Sequence, residues 1–167
     1  MAPKDPVTPS SHAAVSVGAV KWRELGAVAR LQERCFRPGL AYRLSTLAML
    51  KGLPWTAFLV ARAEPGGAIA GCAIGDWHEG NSRIVNIAVD PAHRRRGVAT
   101  ALLGAIDVAL PDGDMVLMVE ADNPGALALY EGCGYLQTGP ARNYYGVGRH
   151  GIWMRKPRPG GVPKVRV

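Results

Sequence analysis

Apolar positions along the chain change period in a regular order, and that order predicts the elements. Val15, Val17 and Ala19 alternate as a strand, and Leu25, Val28, Ala29, Cys35 and Phe36 then recur at helical spacing. A loop at Arg37-Pro38-Gly39 leads to a short helix near Leu44–Leu50, which Pro54 closes. Ala57–Arg62 and Ala68–Trp77 are two strands flanking Glu64-Pro65-Gly66-Gly67, a sequence that favours a hairpin turn. Arg83–Val89 is a further strand, ended by Pro91. From Val98 the positions Leu102, Leu103, Ile106, Ala109 and Leu110 draw one face of a helix, and Pro111-Asp112-Gly113 stops it. Met115–Glu120 has the apolar character of a buried strand. Asn123 is placed to cap a helix that opens with Pro124, buries Leu127, Leu129 and Tyr130, and ends by Gly132 and Gly134. Two strands, about Tyr135–Thr138 and Gly148–Arg155, complete the unit. No internal repeat is present. Residues 1–13 and 157–167 lack periodicity and are expected to be disordered tails around a domain spanning 14–156.

Composition agrees with one globular domain: 167 residues, 48% apolar and 20% charged, enough to bury a core without a metal or disulfide staple. Cys35, Cys72 and Cys133 are odd in number and widely spaced, so they form neither a disulfide framework nor a zinc pattern. No metal is expected, and a reducing cytosol is the expected compartment. No apolar run approaches the roughly 20 residues that span a bilayer, and the amino terminus lacks an apolar signal core. A membrane partner is therefore not expected.

The formal charge is +7, but its location matters more than its sign. Arg155, Lys156, Arg158, Lys164 and Arg166 lie in the last thirteen residues with no acid among them, which leaves +2 for the rest. Nucleic-acid binding is thus not expected beyond weak contacts of the tail with RNA. Within the body the dense basic run is Arg94-Arg95-Arg96, just before Gly97 opens a helix. A helix's first turn has amides without intrahelical partners and carries the positive end of the helix dipole. The amides of Arg95, Arg96, Gly97, Val98, Ala99 and Thr100 could therefore converge on a phosphate, with Gly97 and Ala99 leaving the approach open. A plain strand-to-helix turn with solvated arginines is the competing explanation. There is no P-loop. Gly146-Val147-Gly148-Arg149-His150-Gly151 satisfies G-x-G-x-x-G but precedes a strand, so it is not a dinucleotide fingerprint.

Arg94-x-x-Gly97-x-Ala99 after an Ile-Ala-Val-Asp-Pro strand resembles the acetyl-CoA pyrophosphate loop of the GNAT acetyltransferase superfamily. The segment from Asn123 through Ala126, Tyr130 and Gly134 to Tyr135 resembles the motif that follows the next strand in that superfamily. The resemblance implies an α+β fold. Its mixed, mostly antiparallel sheet has about seven strands with about four helices, and its central parallel pair is splayed at the acetyl-CoA site. Together with the Asn86–Pro91 strand end, Arg142-Asn143-Tyr144-Tyr145 is similar to the protein N-terminal acetyltransferases, above all the RimI-like enzymes that acetylate a ribosomal protein's terminal alanine. Phe36, Tyr42, Asn86, Tyr144 and Tyr145 are then the acceptor-facing candidates. A hydrophobic lid is the alternative role of the tyrosine pair.

The implied reaction passes an acetyl group from the CoA thioester to a neutral amine, and it needs a base, an acid for the thiolate and an amide near the oxyanion. Tyr130 matches the family acid. Asn123 matches a cofactor contact, although capping explains it equally. An amide of Ile87, Ala88 or Val89 could polarise the carbonyl. Where these relatives carry a Glu or His base, this chain has Met118. Glu120, two residues along the same strand face, is the nearest substitute, acting through a water or a strand irregularity; an ordinary ion-paired carboxylate is the other reading. An α-amine with a pKa of about 8 is roughly 10% neutral at pH 7, against about 0.04% for lysine, so a chain terminus needs a base least. Three classes stay open: an N-terminal α-amine acetyltransferase, a small-molecule (polyamine or aminoglycoside-like) acetyltransferase, and an acyl-CoA-binding module without turnover. A monomer or homodimer fits each.

Overall fold

The structure, a computed structural model, describes residues 15–64, 67–78 and 80–160. Strand β1 (Val15–Ala19) turns through a single 3-10 turn at Trp22–Glu24 into α1 (Leu25–Cys35), and α2 (Leu44–Gly52) follows. Three strands come next: β2 (Thr56–Ala63), β3 (Ala68–His78) and β4 (Asn81–Val89). A 3-10 turn at Pro91–His93 leads to α3 (Val98–Ala109), β5 (Met115–Glu120), α4 (Pro124–Gly132), β6 (Leu136–Ala141) and β7 (Gly151–Lys156). One seven-stranded sheet results, in the order β1-β2-β3-β4-β5-β7-β6, with β4 and β5 its parallel pair. The expected fold is therefore observed.

Each face of the sheet is covered by one pair of helices. Leu102, Leu103 and Ile106 of α3 and Tyr130 of α4 pack with Met115, Leu117 and Met154 on one side; Val28, Leu31 and Leu47 of α1 and α2 pack with Val60, Cys72 and Ile74 on the other. Alternation along β5 buries Met115, Leu117 and Val119 and leaves Val116, Met118 and Glu120 half-buried on the opposite face. Close contact of α3 with the sheet depends on glycine. A Cβ at Gly75 would lie 2.7 Å from Leu110 Cδ1 and 2.8 Å from the Arg83 carbonyl oxygen.

Boundaries depart from the sequence expectation mainly at the end of the chain. β6 continues to Ala141, and β7 starts at Gly151 rather than Gly148, because Gly146 and Gly148 take positive φ (118° and 75°) within a hydrogen-bonded turn. The C-terminal segment also differs from the expected tail. Arg155 pairs with Asp114, Lys156 with Asp107, and Arg158 donates to the carbonyls of Gly113 (2.7 Å), Asp107 (2.6 Å) and Pro111 (2.5 Å). These side chains serve the end of α3 and the start of β5, where unpaired carbonyls and carboxylates attract cations. Three of the five cations assigned to weak RNA contacts are thus engaged within the fold. Lys164, Arg166 and the expected tail 1–13 lie outside the described residues.

Candidate functional site

The site begins where the parallel pair parts. β4 and β5 are in register only at Ser82↔Met115 and Arg83↔Val116, after which they diverge. The closed end of this wedge is pinned by the Ser82 amide donating to the Asp114 carbonyl (3.0 Å) and the Ser82 hydroxyl to that of Pro111 (3.0 Å). On the far side of β4, the register with β3 slips between Ile74 and Gly75, a bulge that increases local twist.

Backbone groups facing the wedge follow from the ladders. The Asp90 amide bonds Ala70, so by alternation Ala88 and Asn86 direct their backbone groups to β3, while Ile87 and Val89 turn theirs to the wedge. Ala88 therefore drops out as an amide donor, and its side chain is in the core. The Val89 carbonyl already accepts from Cys35 Sγ (3.3 Å) and Arg94 Nε (3.3 Å). On the opposite edge, the Ala121 amide bonds His150, so Met118 and Glu120 face the wedge. The carbonyl of Met118 accepts from the Tyr145 hydroxyl (3.0 Å) and that of Glu120 from the Asn123 amide (3.0 Å).

At the end of β4, Asp90 caps the 3-10 turn through the Ala92 amide (3.0 Å), and the chain enters α3 with Arg95 at φ 61° and Gly97 at φ 78°. Ala101 bonds backward to Gly97, and among the described residues the amides from Arg95 to Thr100 have no backbone partner. Arg94, Arg95, Arg96, Gly97 and Thr100 are exposed, while Val98 anchors the turn in the core. A Cβ at Gly97 would meet nothing within 4 Å. An open row of bare amides at a helix start, with three arginines beside it, fits a diphosphate such as that of CoA.

Between the strands lies a cleft of about 740 Å³. It gathers Phe36, Tyr42, Asn86, Ile87, Glu120, Asn123, Tyr130, Tyr144 and Tyr145 from distant parts of the chain; the Arg94–Thr100 turn lies beyond it. Tyr130 is 6% exposed, its ring edge-on to Tyr135 at 5.6 Å. Burial raises its phenol pKa above the ordinary value, so it stays protonated as a donor. Asn123 does cap α4, its Oδ1 accepting from the Ala126 amide at 3.0 Å. Asn86 is held by Gln32: its Oδ1 accepts from Gln32 Nε2 at 2.7 Å, and its Nδ2 donates to Gln32 Oε1 at 3.3 Å. Its amide therefore serves α1 packing more than an acceptor.

Glu120 Oε1 accepts from Arg149 Nε at 2.8 Å, and this hydrogen bond holds the carboxyl below its usual pKa. An ionised, capped carboxylate is a poor base near neutrality, so of the two sequence readings of Glu120 the ion pair is the one present. Met118 is packed against Gly151, where a Cβ would collide with its sulfur. Sequence reasoning missed Arg149, Arg37, Asp122 and Gln32. No local signal marked Arg149, which lies in the turn before β7 and reaches Glu120 across 29 residues of chain. Among the described residues no cluster of His, Cys, Asp and Glu could hold a metal ion, and no helix is long and apolar enough to cross a membrane.

A splayed parallel pair with a bare helix start on one strand and a phenol-bearing helix after the other defines the class, the GNAT fold. Residues 25–135 match the model of the acetyltransferase (GNAT) family, well over half of the chain, and the chain belongs to that family. It is 34% identical over 99 residues to an N-alpha-acetyltransferase RimI of Mycobacterium tuberculosis, covering 56% of this chain and 63% of that protein. To the [ribosomal protein bS18]-alanine N-acetyltransferase of Escherichia coli K12 it is 39% identical over 82 residues, covering 47% and 55%. The matched segments thus span less than two thirds of those relatives' own lengths. The crystal structure of the ribosomal-protein-S18-alanine N-acetyltransferase from Escherichia coli superposes with a TM-score of 0.76 at 24% identity, covering 92% of this chain and 99% of that one. At that identity the likeness establishes the fold.

Proposed function

We propose that this protein transfers an acetyl group from acetyl-CoA to the α-amine of a protein N terminus. The observation that carries this reading is the acceptor end of the cleft, which has aromatic walls and, of its two carboxylates, Glu120 neutralised by an arginine and only the exposed Asp122 outside an ion pair among the described residues. Tyr42 and Phe36 come from the α1–α2 loop, and Tyr144 and Tyr145 from the β6–β7 loop. The charged residues there are Arg37, Arg83, Arg149, Glu120 and Asp122; Glu120 is paired to Arg149, and Arg83 to Asp76 outside the cleft. A polyamine or aminoglycoside would want a surplus of carboxylates at this end. The two N-terminal acetyltransferases this chain resembles support the same acceptor class.

When bound, acetyl-CoA supplies an activated thioester. The amides from Arg95 to Thr100 would hold its diphosphate, assisted by Arg94, Arg95 and Arg96, while the wedge-facing amides of Ile87 and Val89 offer donors to the thioester oxygen. Tyr130 donates a hydrogen bond where negative charge gathers on the leaving sulfur. Among the described residues no histidine lines the cleft, Met118 cannot take a proton, and Glu120 is held ionised by Arg149. The acceptor must therefore arrive largely neutral, which favours an α-amine over a lysine amine by roughly two orders of magnitude at neutral pH.

Release of CoA thiol tests this with an alanine-starting peptide, the same peptide acetylated at its terminus but carrying lysine, and spermidine. Turnover at least tenfold higher on the free terminus is expected. Equal or better use of lysine or spermidine overturns the acceptor assignment. CoA binding without turnover on any of them leaves an acyl-CoA-binding module.

A further inference from the structure

Arg149 makes several contacts at the acceptor end, and neither capping nor core packing explains them. It leaves the turn before β7 and binds Glu120 Oε1 through Nε (2.8 Å), while Nη1 donates to the Tyr145 carbonyl (3.2 Å). Its guanidinium lies 6.0 Å from the Tyr145 ring centroid. Tyr145 is in turn fixed to β5 through its hydroxyl bond to Met118. One arginine thus joins the aromatic wall to the carboxylate, and two consecutive outward positions of β5 are both tied to the same loop. Nη2 is buried with no hydrogen-bond partner among the described residues.

We propose that Arg149 determines acceptor specificity, capping Glu120 so that its charge is withheld from polycationic amines while the Tyr144–Tyr145 wall is held over β5. This rests on the acetyl-transfer reading above and names what makes it selective. With Arg149 in place the Glu120 carboxylate is already shared, and of the carboxylates lining the cleft only the exposed Asp122 is left to meet a second or third ammonium. A peptide terminus brings one amine and an uncharged backbone, so it loses nothing. Without Arg149 the Glu120 side chain, 23% exposed, would keep only the weaker influence of Arg37 and would present its negative charge to the cleft.

The test compares wild type with Arg149→Met, which keeps length and removes charge, and with Arg149→Lys. Two readouts are used: kcat/KM for an alanine-starting peptide and for spermidine, and spermidine affinity by calorimetry on the full chain. For Arg149→Met the peptide-to-spermidine ratio should fall about tenfold or more, mainly through a lower spermidine KM, the size expected of one unscreened charge at a partly exposed site. Spermidine affinity should rise by a similar factor and return to the wild-type level in Arg149→Met/Glu120→Gln. Arg149→Lys should restore most of the ratio. Equal loss on both acceptors would show a merely structural arginine, and unchanged spermidine affinity overturns the proposal. The calorimetric arm needs no turnover, so failure of wild type to acetylate either acceptor would count against the acetyl-transfer reading alone.

Discussion

Removing one oxygen from Tyr130 should separate catalysis from stability. In Tyr130→Phe the ring keeps its place against Tyr135 at 5.6 Å and its share of the core around Leu117 and Met154. The hydroxyl makes no hydrogen bond to a protein group among the described residues, and Tyr130 lines the cleft. Exchanging a hydroxyl that has no protein partner for hydrogen changes unfolding free energy by about 1 kcal/mol or less. A positioned acid contributes roughly 10²–10⁴ in rate, about 3–5 kcal/mol of barrier. Burial raises the phenol pKa, so it holds its proton to beyond pH ~10 and acts as a hydrogen-bond donor to the thiolate more than as a full proton source. Urea denaturation, calorimetric CoA affinity and CoA-thiol release on one variant should show the first two nearly unchanged and kcat at least a hundredfold lower. An unchanged kcat would refute the donor role. A loss of 3 kcal/mol or so in stability would show instead that the hydroxyl is structural.

Gly97→Asp places a carboxylate and a strained positive φ at the bare amides, and it should weaken CoA binding at least tenfold by calorimetry; unaltered affinity would move the diphosphate elsewhere. Glu24 is held by Arg62 through two bonds of 2.8 Å, which lower its pKa to about 2. A depressed carboxyl contributes stability above its unfolded pKa of 4.5 and loses it as pH falls towards about 2. Glu24→Gln should therefore cost about 1 kcal/mol at pH 7, after discounting for screening, and the gap to wild type should close below pH 3 in urea melts; a constant gap would contradict the linkage. Arg158→Met removes three bonds to carbonyls at the closed end of the wedge and should lower unfolding free energy by about 2 kcal/mol; a change under 0.5 kcal/mol would show that this contact contributes little.

Elements whose signals are local were legible in the chain itself. A short apolar run placed β5 at Met115–Glu120, helical spacing and a stop signal bounded α3, and Asn123 with Pro124 marked the start of α4, because hydrophobic pattern and cap chemistry act within about four residues. The bare helix start at Gly97 was legible for the same reason. The direction of the backbone groups of Ala88 and Val89 was not, since it depends on which strand bonds β4 from the β3 side. Nor was the state of Glu120 legible. Its partner lies 29 residues away, across a turn whose glycines shift the start of β7, and whether a carboxylate is base, anchor or capped anion depends on what stands opposite. Arg158 read as part of a free tail until the carbonyls of α3 lay within its reach. Periodicity and capping are properties of neighbours in the chain, whereas charge compensation and the opening of β4 from β5 belong to neighbours in space, which only folding brings together.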